Sequence, residues 1–257
     1  MRTPFRLGTT SYILPDALLP NVRFLADKVR DVELLFFEVD EAQNALPNPK
    51  VFTELEALAR AHDLTYTVHL PLALRLGEAG AQAEAALVRS ERVIEATRFL
   101  DPFAYVAHLG SAPAPGLAEW VERAASALAR RGALAGGLDR LAVENSGETQ
   151  AGMAAVLALA PASRCVDVGH LWVAGEDPIP QLVQDRSRLR LVHLHGVAQR
   201  DHQSLACLPP GELRRVLHWL LQNAFGGVVT LEVFNQDDFW SSYHAVLEVL
   251  EEPWEEV

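Results

Sequence analysis

The residues of this chain that could do chemistry are histidines and carboxylates that close a series of short apolar runs. Several runs end in such a group, as in YTVHL, YVAHL, LAVEN and VTLEVF. Imidazoles and carboxylates are the side chains that bind divalent zinc, manganese, cobalt or iron. The candidate ligands are His69, His108, Glu144, Asp167, His170, His195, Asp201, His202 and Glu232. Their types and positions predict a metalloenzyme.

Two short segments indicate how neighbouring residues could share one centre. In CVDVGH, Asp167 ends a predicted strand, and Gly169 would allow a tight turn that returns His170 to the same centre. In VHLHG, His193 and His195 are two residues apart, so both point to the same face of a strand. We take His195 as the ligand because it is nearer the strand end. His193 is expected one layer deeper, either as a hydrogen-bonded core group or as a group that supports a ligand.

Eight strand-like runs alternate with amphipathic stretches that must position these side chains. The predicted strands cover residues 5–11, 32–38, 65–70, 104–109, 140–144, 164–168, 190–195 and 228–233. The predicted helices cover residues 17–29, 50–62, 80–99, 116–135, 149–160, 178–186, 209–223 and 237–251. Near-continuous apolar strands indicate a parallel sheet, and eight repeats predict a single (β/α)8 barrel over residues 1–257. An open doubly wound sheet is the alternative, but no GxGxxG follows the first strand.

A barrel would bring all the candidate ligands to one rim. The carboxyl ends of barrel strands meet there, and enzymes of this architecture place their active sites at that end. Ionisable groups packed together repel one another and are costly to desolvate unless a cation lies between them. Their joint placement therefore favours a metal site over separate structural roles.

Composition narrows the class of protein further. The chain has 257 residues and is 49% hydrophobic, which is enough for one large barrel core. A formal net charge of −12 argues against a nucleic-acid partner, because phosphate binding needs a basic face. No apolar run approaches the roughly 20 residues needed to span a membrane, and the two cysteines form no CxxC pair. We expect a cytoplasmic protein with no membrane partner, whose oligomeric state the sequence leaves open.

Five further residues are candidates for substrate contacts because they lie at predicted strand ends or shortly after them. Thr10 and Tyr12 follow the first strand, where ordinary loop hydrogen bonding explains them equally well. Glu38 ends the second predicted strand and could support a ligand, bind substrate or lie in solvent. Asn145 should point outward within its strand but lies at the strand end. Trp172 offers an aromatic surface to a planar substrate.

The order of these residues resembles the xylose-isomerase-like TIM barrel superfamily, which includes sugar isomerases, epimerases and the endonuclease IV type of abasic-site nuclease. The shared pattern is a His on strands three and four, Glu on strand five, DxGH on strand six, HxH on strand seven and Glu on strand eight. Several segments resemble the cobamide-remodelling phosphodiesterases more closely: LGTTSYILPDALLPNVRFLA, VELLFFEVDE, LTYTVHLPLALRLG and LDPFAYVAHLG. The resemblance spans essentially the whole chain.

The resemblance to the nuclease branch implies three metal ions held by the nine candidate ligands. The implied sets are His69, His108 and Glu144; Glu144, Asp167, His195 and Glu232; and His170, Asp201 and His202. Glu144 would thus bridge two ions. The nuclease pattern has one residue between the last Asp and His, whereas Asp201 and His202 are adjacent. We therefore expect two or three divalent ions per chain.

The closer resemblance implies a metal-dependent phosphodiesterase that hydrolyses the nucleotide loop of a cobamide, a small corrinoid, to cobinamide phosphate and a nucleoside. Clustered cations suit this chemistry because they activate water and neutralise charge on phosphoryl oxygens. We expect Glu144, Glu232 and His195 to be catalytic. The alternative is a sugar isomerase or epimerase with one divalent metal, whose carboxylates shuttle a proton at a carbon next to a carbonyl. A noncatalytic corrinoid-binding barrel has less use for so many ligands.

Overall fold

Apolar runs rich in β-branched residues form the strands of a closed parallel barrel. The computed structural model describes residues 3–36, 46–72, 74–112, 116–146, 150–198, 200–209 and 211–251. The strands are β1 (Arg6–Thr10), β2 (Asp31–Leu35), β3 (Thr65–His69), β4 (Ala104–Ala107), β5 (Leu141–Glu144), β6 (Ser163–Asp167), β7 (Leu189–Leu194) and β8 (Val228–Leu231). They pair in the order of the chain, and β8 closes on β1. The predicted (β/α)8 barrel is confirmed.

Helices follow the strands and pack on the outside of the barrel. They are α1 (Leu18–Leu25), α2 (Pro49–His62), α3 (Ala81–Thr97), α4 (Leu117–Ala135), α5 (Gln150–Leu159), α6 (Val168–Val173), α7 (Pro178–Asp185), α8 (Glu212–Gln222) and α9 (Gln236–Glu251). Asn48 caps α2 by accepting a hydrogen bond from the Lys50 N–H, and α4 ends at Gly136 in the left-handed conformation that glycine favours. Among the described helices, none is both long and apolar enough to cross a membrane.

The short helix α6 was not predicted, and it changes the explanation for Gly169. Its first turn starts directly after β6 because the Asp167 side chain accepts a hydrogen bond from the His170 N–H at 2.8 Å. Gly169 therefore lies in a helix and not in a tight turn. A Cβ at this position would overlap the imidazole of His195. Glycine is needed here because α6 approaches His195 closely.

Inside the barrel an apolar layer lies beneath the candidate ligands. Its buried members are Ala104, Val106, Ala142, Cys165, Leu191 and Val228. Side chains two residues apart on a strand point to the same face, so the next inward positions carry the ligand-type groups. Those positions are His108, Glu144, Asp167 and His193. On β2 and β3 the inward positions beneath the rim are polar, and Glu33 and Thr67 pair in register. Because side chains alternate between the two faces of each strand, the candidate ligands lie inside the barrel at its carboxyl end.

Candidate metal centre

Four groups of ligand-type side chains lie in the described part of the barrel, and three of them meet at this rim; the fourth, Glu144, Cys165 and His193, reaches into the apolar layer below. We name the three at the rim the first cluster (His69, His108 and Glu144), the central cluster (Glu144, Asp167, His193 and Glu232) and the histidine cluster (His170, His195 and His202). Within each cluster, the candidate ligand atoms lie within 4.8 Å of one another. That spacing is short enough for each set to surround one ion.

The central cluster is the most deeply buried of the three. Glu144, Asp167 and His193 end or nearly end β5, β6 and β7, and Glu232 directly follows β8. All four side chains are buried. Nδ1 of His193 lies 3.3 Å from Oε2 of Glu232 and 3.7 Å from Oε1 of Glu144. Three carboxylates and one imidazole therefore converge on a small volume closed to solvent.

Glu144 connects the central cluster to the first cluster. Its Oε2 lies 3.0 Å from Nε2 of His108 and 3.5 Å from Nε2 of His69, at the ends of β4 and β3. Its Oε1 faces the other way, towards His193. Each oxygen of the Glu144 carboxylate thus faces a different cluster. This is the geometry of a carboxylate that can bridge two ions.

Asp167 is a member of the central cluster, and both of its oxygens contact the histidine cluster. Its Oδ1 lies 3.4 Å from Nε2 of His195, and its Oδ2 lies 3.0 Å from Nδ1 of His170 on α6. The ring centroids of His195 and His202 are 4.2 Å apart. The backbone N–H of His202 donates to Nδ1 of His195 at 3.0 Å, which fixes the β7–α8 loop against the site. The three clusters are therefore contiguous.

The structure revises how the two histidines of β7 divide between these clusters. His195 was expected to join the carboxylates, with His193 one layer deeper. Instead His193 joins them, because β6 and β7 pair with Asp167 opposite His193. The chain leaves the sheet after Leu194. His195 therefore reaches the side of the rim where α6 carries His170.

Asp201 is the one predicted ligand that the described structure does not bring into a cluster. Its side chain is 52% exposed, and its Oδ2 lies 3.9 Å from Nε2 of the neighbouring His202. His202 adopts a left-handed backbone conformation with φ 51°, and of the two neighbours only His202 joins His170 and His195. The third set of ligands in the described residues therefore consists of histidines.

Two of the residues predicted to contact substrate, Thr10 and Asn145, form hydrogen bonds to the backbone. Thr10 is fully buried, and its hydroxyl donates to the Val233 carbonyl at 2.6 Å, which ties β1 to the end of β8. Asn145 accepts a hydrogen bond from the Asp167 N–H at 2.8 Å and donates to the Asp167 carbonyl at 3.0 Å. The polar atoms of both side chains form hydrogen bonds with the backbone. Asn145 acts by holding Asp167 in place.

The other three predicted contact residues differ in their placement. Tyr12 is exposed and lines a cavity of about 840 Å³ between the ends of β1 and β2 and the starts of α1 and α2. Leu18, Phe36 and Leu46 also line this cavity. Trp172 on α6 packs partly buried against the core. Glu38 lies outside the described residues. The cavity has the size of a small-molecule site.

Glu33 is a site residue that the sequence reasoning missed. It is fully buried on β2, and its Oε2 lies 3.0 Å from Nε2 of His193. The available signal was a carboxylate inside the run DVELL, two residues before Leu35 and so on the same strand face. A charged residue inside an apolar barrel strand needs a partner. That partner is His193.

The clusters hold strong opposite charges next to each other. Burial disfavours an imidazolium, yet Glu144, by hydrogen bonding and by charge, and Glu33 and Glu232, by charge, raise the pKa of His69 to about 9. The pKa of His170 also rises to about 9 against the cost of burial, because Asp167 accepts its hydrogen bond. Burial likewise opposes an ionised Glu144, but His108 and His193 hold its pKa well below the usual range. Without metal, protons on His69 and His170 offset part of the negative charge of these carboxylates.

The residues present fit metal ions. Nδ1 of His193, Nε2 of His195 and Oε2 of Glu232 are buried with no hydrogen-bond partner in the described structure. A buried polar atom left without a partner costs about 1–3 kcal/mol, so such atoms are rare unless something else satisfies them. A divalent ion at each cluster would do so. The mixture of imidazole and carboxylate donors suits zinc, manganese, cobalt and iron.

Comparison with known proteins gives the family and the fold. A family model described as a xylose isomerase-like TIM barrel matches residues 26–254. A D-tagatose 3-epimerase-like protein is similar in structure, with a TM-score of 0.78, 18% identity and coverage of 96% of this chain and 97% of the other. Endonuclease IV from Thermus thermophilus has a TM-score of 0.74 and 22% identity over 96% of this chain and 100% of its own.

A 3-keto-D-glucoside 4-epimerase from E. coli is also similar, with a TM-score of 0.71 and 14% identity over 96% of this chain and 98% of the other. At these identities the likeness shows the fold alone. No curated protein sequence matches the chain at a significant level.

Proposed function

The chain belongs to the xylose isomerase-like TIM barrel family, and on that premise we propose that it is a metal-dependent phosphodiester hydrolase. The observation that carries the proposal is the histidine cluster, which Asp167 joins to the central cluster. A one-metal isomerase needs only the central cluster. Three contiguous ligand sets suit a reaction in which charge develops on several oxygens around one phosphorus.

The reaction would take place over the open side of the rim. When bound, divalent ions supply a water nucleophile near neutral pH and neutralise charge on phosphoryl oxygens. Glu144 offers its two oxygens to different clusters, and both oxygens of Asp167 contact the histidine cluster, so these two carboxylates link the three ligand sets. His108, His170 and His202 are partly exposed, whereas His193 and His195 are fully buried. A phosphodiester therefore approaches from the side of the partly exposed histidines.

We further propose that the substrate is a cobamide, cleaved in its nucleotide loop to cobinamide phosphate and a nucleoside. The sequence segments that resemble the cobamide-remodelling phosphodiesterases support this choice. The cavity beside Tyr12 supports it too, since it lies at the carboxyl ends of β1 and β2, the same end of the barrel as the clusters, and offers apolar surface to a large ligand. A net charge of −12 argues against duplex DNA, whose phosphates need positive partners.

A second candidate function is sugar isomerisation or epimerisation with one divalent metal. The observation that favours it is the composition of the central cluster, in which Glu144 and Glu232 lie beside Asp167 and His193. Two glutamates around one ion could move a proton between carbons of a bound sugar. This candidate leaves the histidine cluster without a role.

The test compares substrates on one metal-loaded preparation. The protein is depleted with a chelator, reloaded with zinc, manganese, cobalt or iron, and incubated with a complete cobamide, abasic-site duplex DNA or ketohexoses. We expect release of the nucleoside from the cobamide, which leaves cobinamide phosphate, with two or three ions per chain by elemental analysis.

Variants at matched histidines sharpen this test. His170→Ala should abolish cobamide cleavage, whereas His62→Ala, at an exposed helix end away from the rim, should not. Ketohexose epimerisation without cobamide cleavage would favour the second candidate. Efficient incision of the abasic-site duplex, with the cobamide left intact, would instead favour a nuclease that acts in DNA repair.

A further inference from the structure

A buried ion pair lies directly beneath the central cluster. Oε2 of Glu33 is 3.0 Å from Nε2 of His193, and both side chains have no exposed surface. Glu33 belongs to β2 and His193 to β7, so the pair crosses the interior of the barrel. Among the described residues, His193 is the ion-pair partner of Glu33. A carboxylate buried this deeply is costly unless it is paired.

The imidazole of His193 spans the distance between this carboxylate and the proposed ion. Nε2 faces Glu33, and Nδ1 faces Oε2 of Glu232 at 3.3 Å and Oε1 of Glu144 at 3.7 Å. Nδ1 is also buried with no hydrogen-bond partner in the described structure. A carboxylate at one ring nitrogen fixes the proton there and leaves the lone pair of the other nitrogen for a metal ion.

We propose that Glu33 is a positioning residue for the metal centre. It holds His193 in the tautomer with the proton on Nε2, so that Nδ1 points at an ion shared with Glu144, Asp167 and Glu232. The inference rests on metal binding by the central cluster and not on the identity of the substrate. If the Glu33 side chain only filled space, an uncharged side chain of the same size would support metal binding equally well.

The neighbouring carboxyl group on the same strand provides a matched control. Asp31 lies two residues before Glu33 and is also fully buried, but its Oδ2 accepts a hydrogen bond from the hydroxyl of Thr65. It therefore shares the strand, the face and the burial of Glu33 without the contact to His193. Asp31→Asn replaces a buried carboxyl group by an amide, which is the same chemical change as Glu33→Gln.

The first experiment measures metal affinity. Each variant is titrated with zinc against a chromogenic chelator, and metal content is counted after gel filtration. We expect Glu33→Gln to weaken one zinc site by about 10- to 100-fold, the usual effect of losing the partner of a ligating histidine. Asp31→Asn should bind zinc like the wild type, and Glu33→Asp should bind it more tightly than Glu33→Gln. Equal affinities in Glu33→Gln and wild type would overturn the proposal.

The second experiment uses the wild-type chain and so does not depend on whether a variant folds. Nitrogen-15 NMR of histidine-labelled protein reports which ring nitrogen carries the proton. We expect zinc to shift Nδ1 of His193 and to leave Nε2 protonated. Ligation through Nε2 would contradict the role of Glu33. A chain that passes both tests but cleaves no phosphodiester would disprove the proposed function and leave this inference standing.

Discussion

Glu144 is the side chain on which two of the three clusters depend, and its substitution is the sharpest test at the scale of one residue. Glu144→Gln keeps the volume but removes the charge that both the first and central clusters share. We expect turnover to fall by about 100-fold or more and metal occupancy to drop at two sites. A cobamide cleavage assay and elemental analysis measure these outcomes, and circular dichroism checks that the barrel stays folded. Wild-type metal content in the variant would disprove the bridging role.

Asp201 and His202 are adjacent in sequence but differ in what they contact. Because the Asp201 side chain is 52% exposed and lies outside the clusters, Asp201→Asn should keep the full metal count. Its activity should stay within about twofold of the wild type, as is usual for exposed positions. His202→Ala should lose about one ion, an estimate from ligand counting. Loss of one ion from Asp201→Asn would show that the loop brings this carboxylate to the metal.

At the scale of elements, the close approach of α6 to β7 forms the histidine cluster. Gly169→Ala adds a Cβ that overlaps the imidazole of His195. Overpacking of this kind costs about 1–3 kcal/mol, and it should displace His195 or His170 from the cluster. We expect one ion fewer and reduced cleavage, with the first and central clusters still loaded. Metal counting and thermal unfolding check this outcome.

A second glycine serves as the control for that variant. Gly226 precedes β8, and a Cβ there would meet no atom within 4 Å. Gly226→Ala should therefore match the wild type in metal content and activity. If Gly169→Ala also behaved like the wild type, α6 would have room to shift, and the histidine cluster would not depend on this glycine.

The repeat of strands and helices could be predicted because apolar runs alternate with amphipathic stretches. The strand ends were less predictable: the second strand was expected to reach residue 38 but ends at Leu35. Phe36 has left the sheet, and residues 37 and 38 lie outside the described residues. The helix α6 escaped prediction because six residues are too few to show a helical period.

The ligand types could also be predicted, and so could the grouping of His69, His108 and Glu144, but not the division of the two histidines of β7 between the other clusters. Which histidine of β7 meets the carboxylates depends on the pairing of Asp167 with His193, and register is set by the tertiary fold. Glu33 was missed for a related reason. Its partner lies 160 residues away in the chain, so no local pattern reveals the ion pair.

At the scale of the whole molecule, the metal-free and metal-loaded forms should respond to pH in opposite directions. The pKa values of His69 and His170 rise to about 9 without metal, against the cost of burial and through Glu144 and Asp167. Groups with raised pKa values stabilise the fold fully below their unfolded pKa of about 6.5 and lose that contribution as pH rises through the folded value. Ligating imidazoles must be neutral, so protons compete with the ion over the same interval.

We therefore expect the free energy of unfolding of the metal-free protein to fall between about pH 7 and 9, while the stabilisation by added zinc increases. Asp31 contributes less to this interval, because burial raises its pKa to about 7, so that it is already half ionised at pH 7 and titrates only at the lower end. Denaturant titrations at both pH values, with and without zinc, measure the two trends. His69→Gln should flatten both trends, and His62→Ala should leave them unchanged, since His62 lies at an exposed helix end. If the stability of His69→Gln kept the full pH dependence of the wild type, we would conclude that zinc does not displace protons from the first cluster.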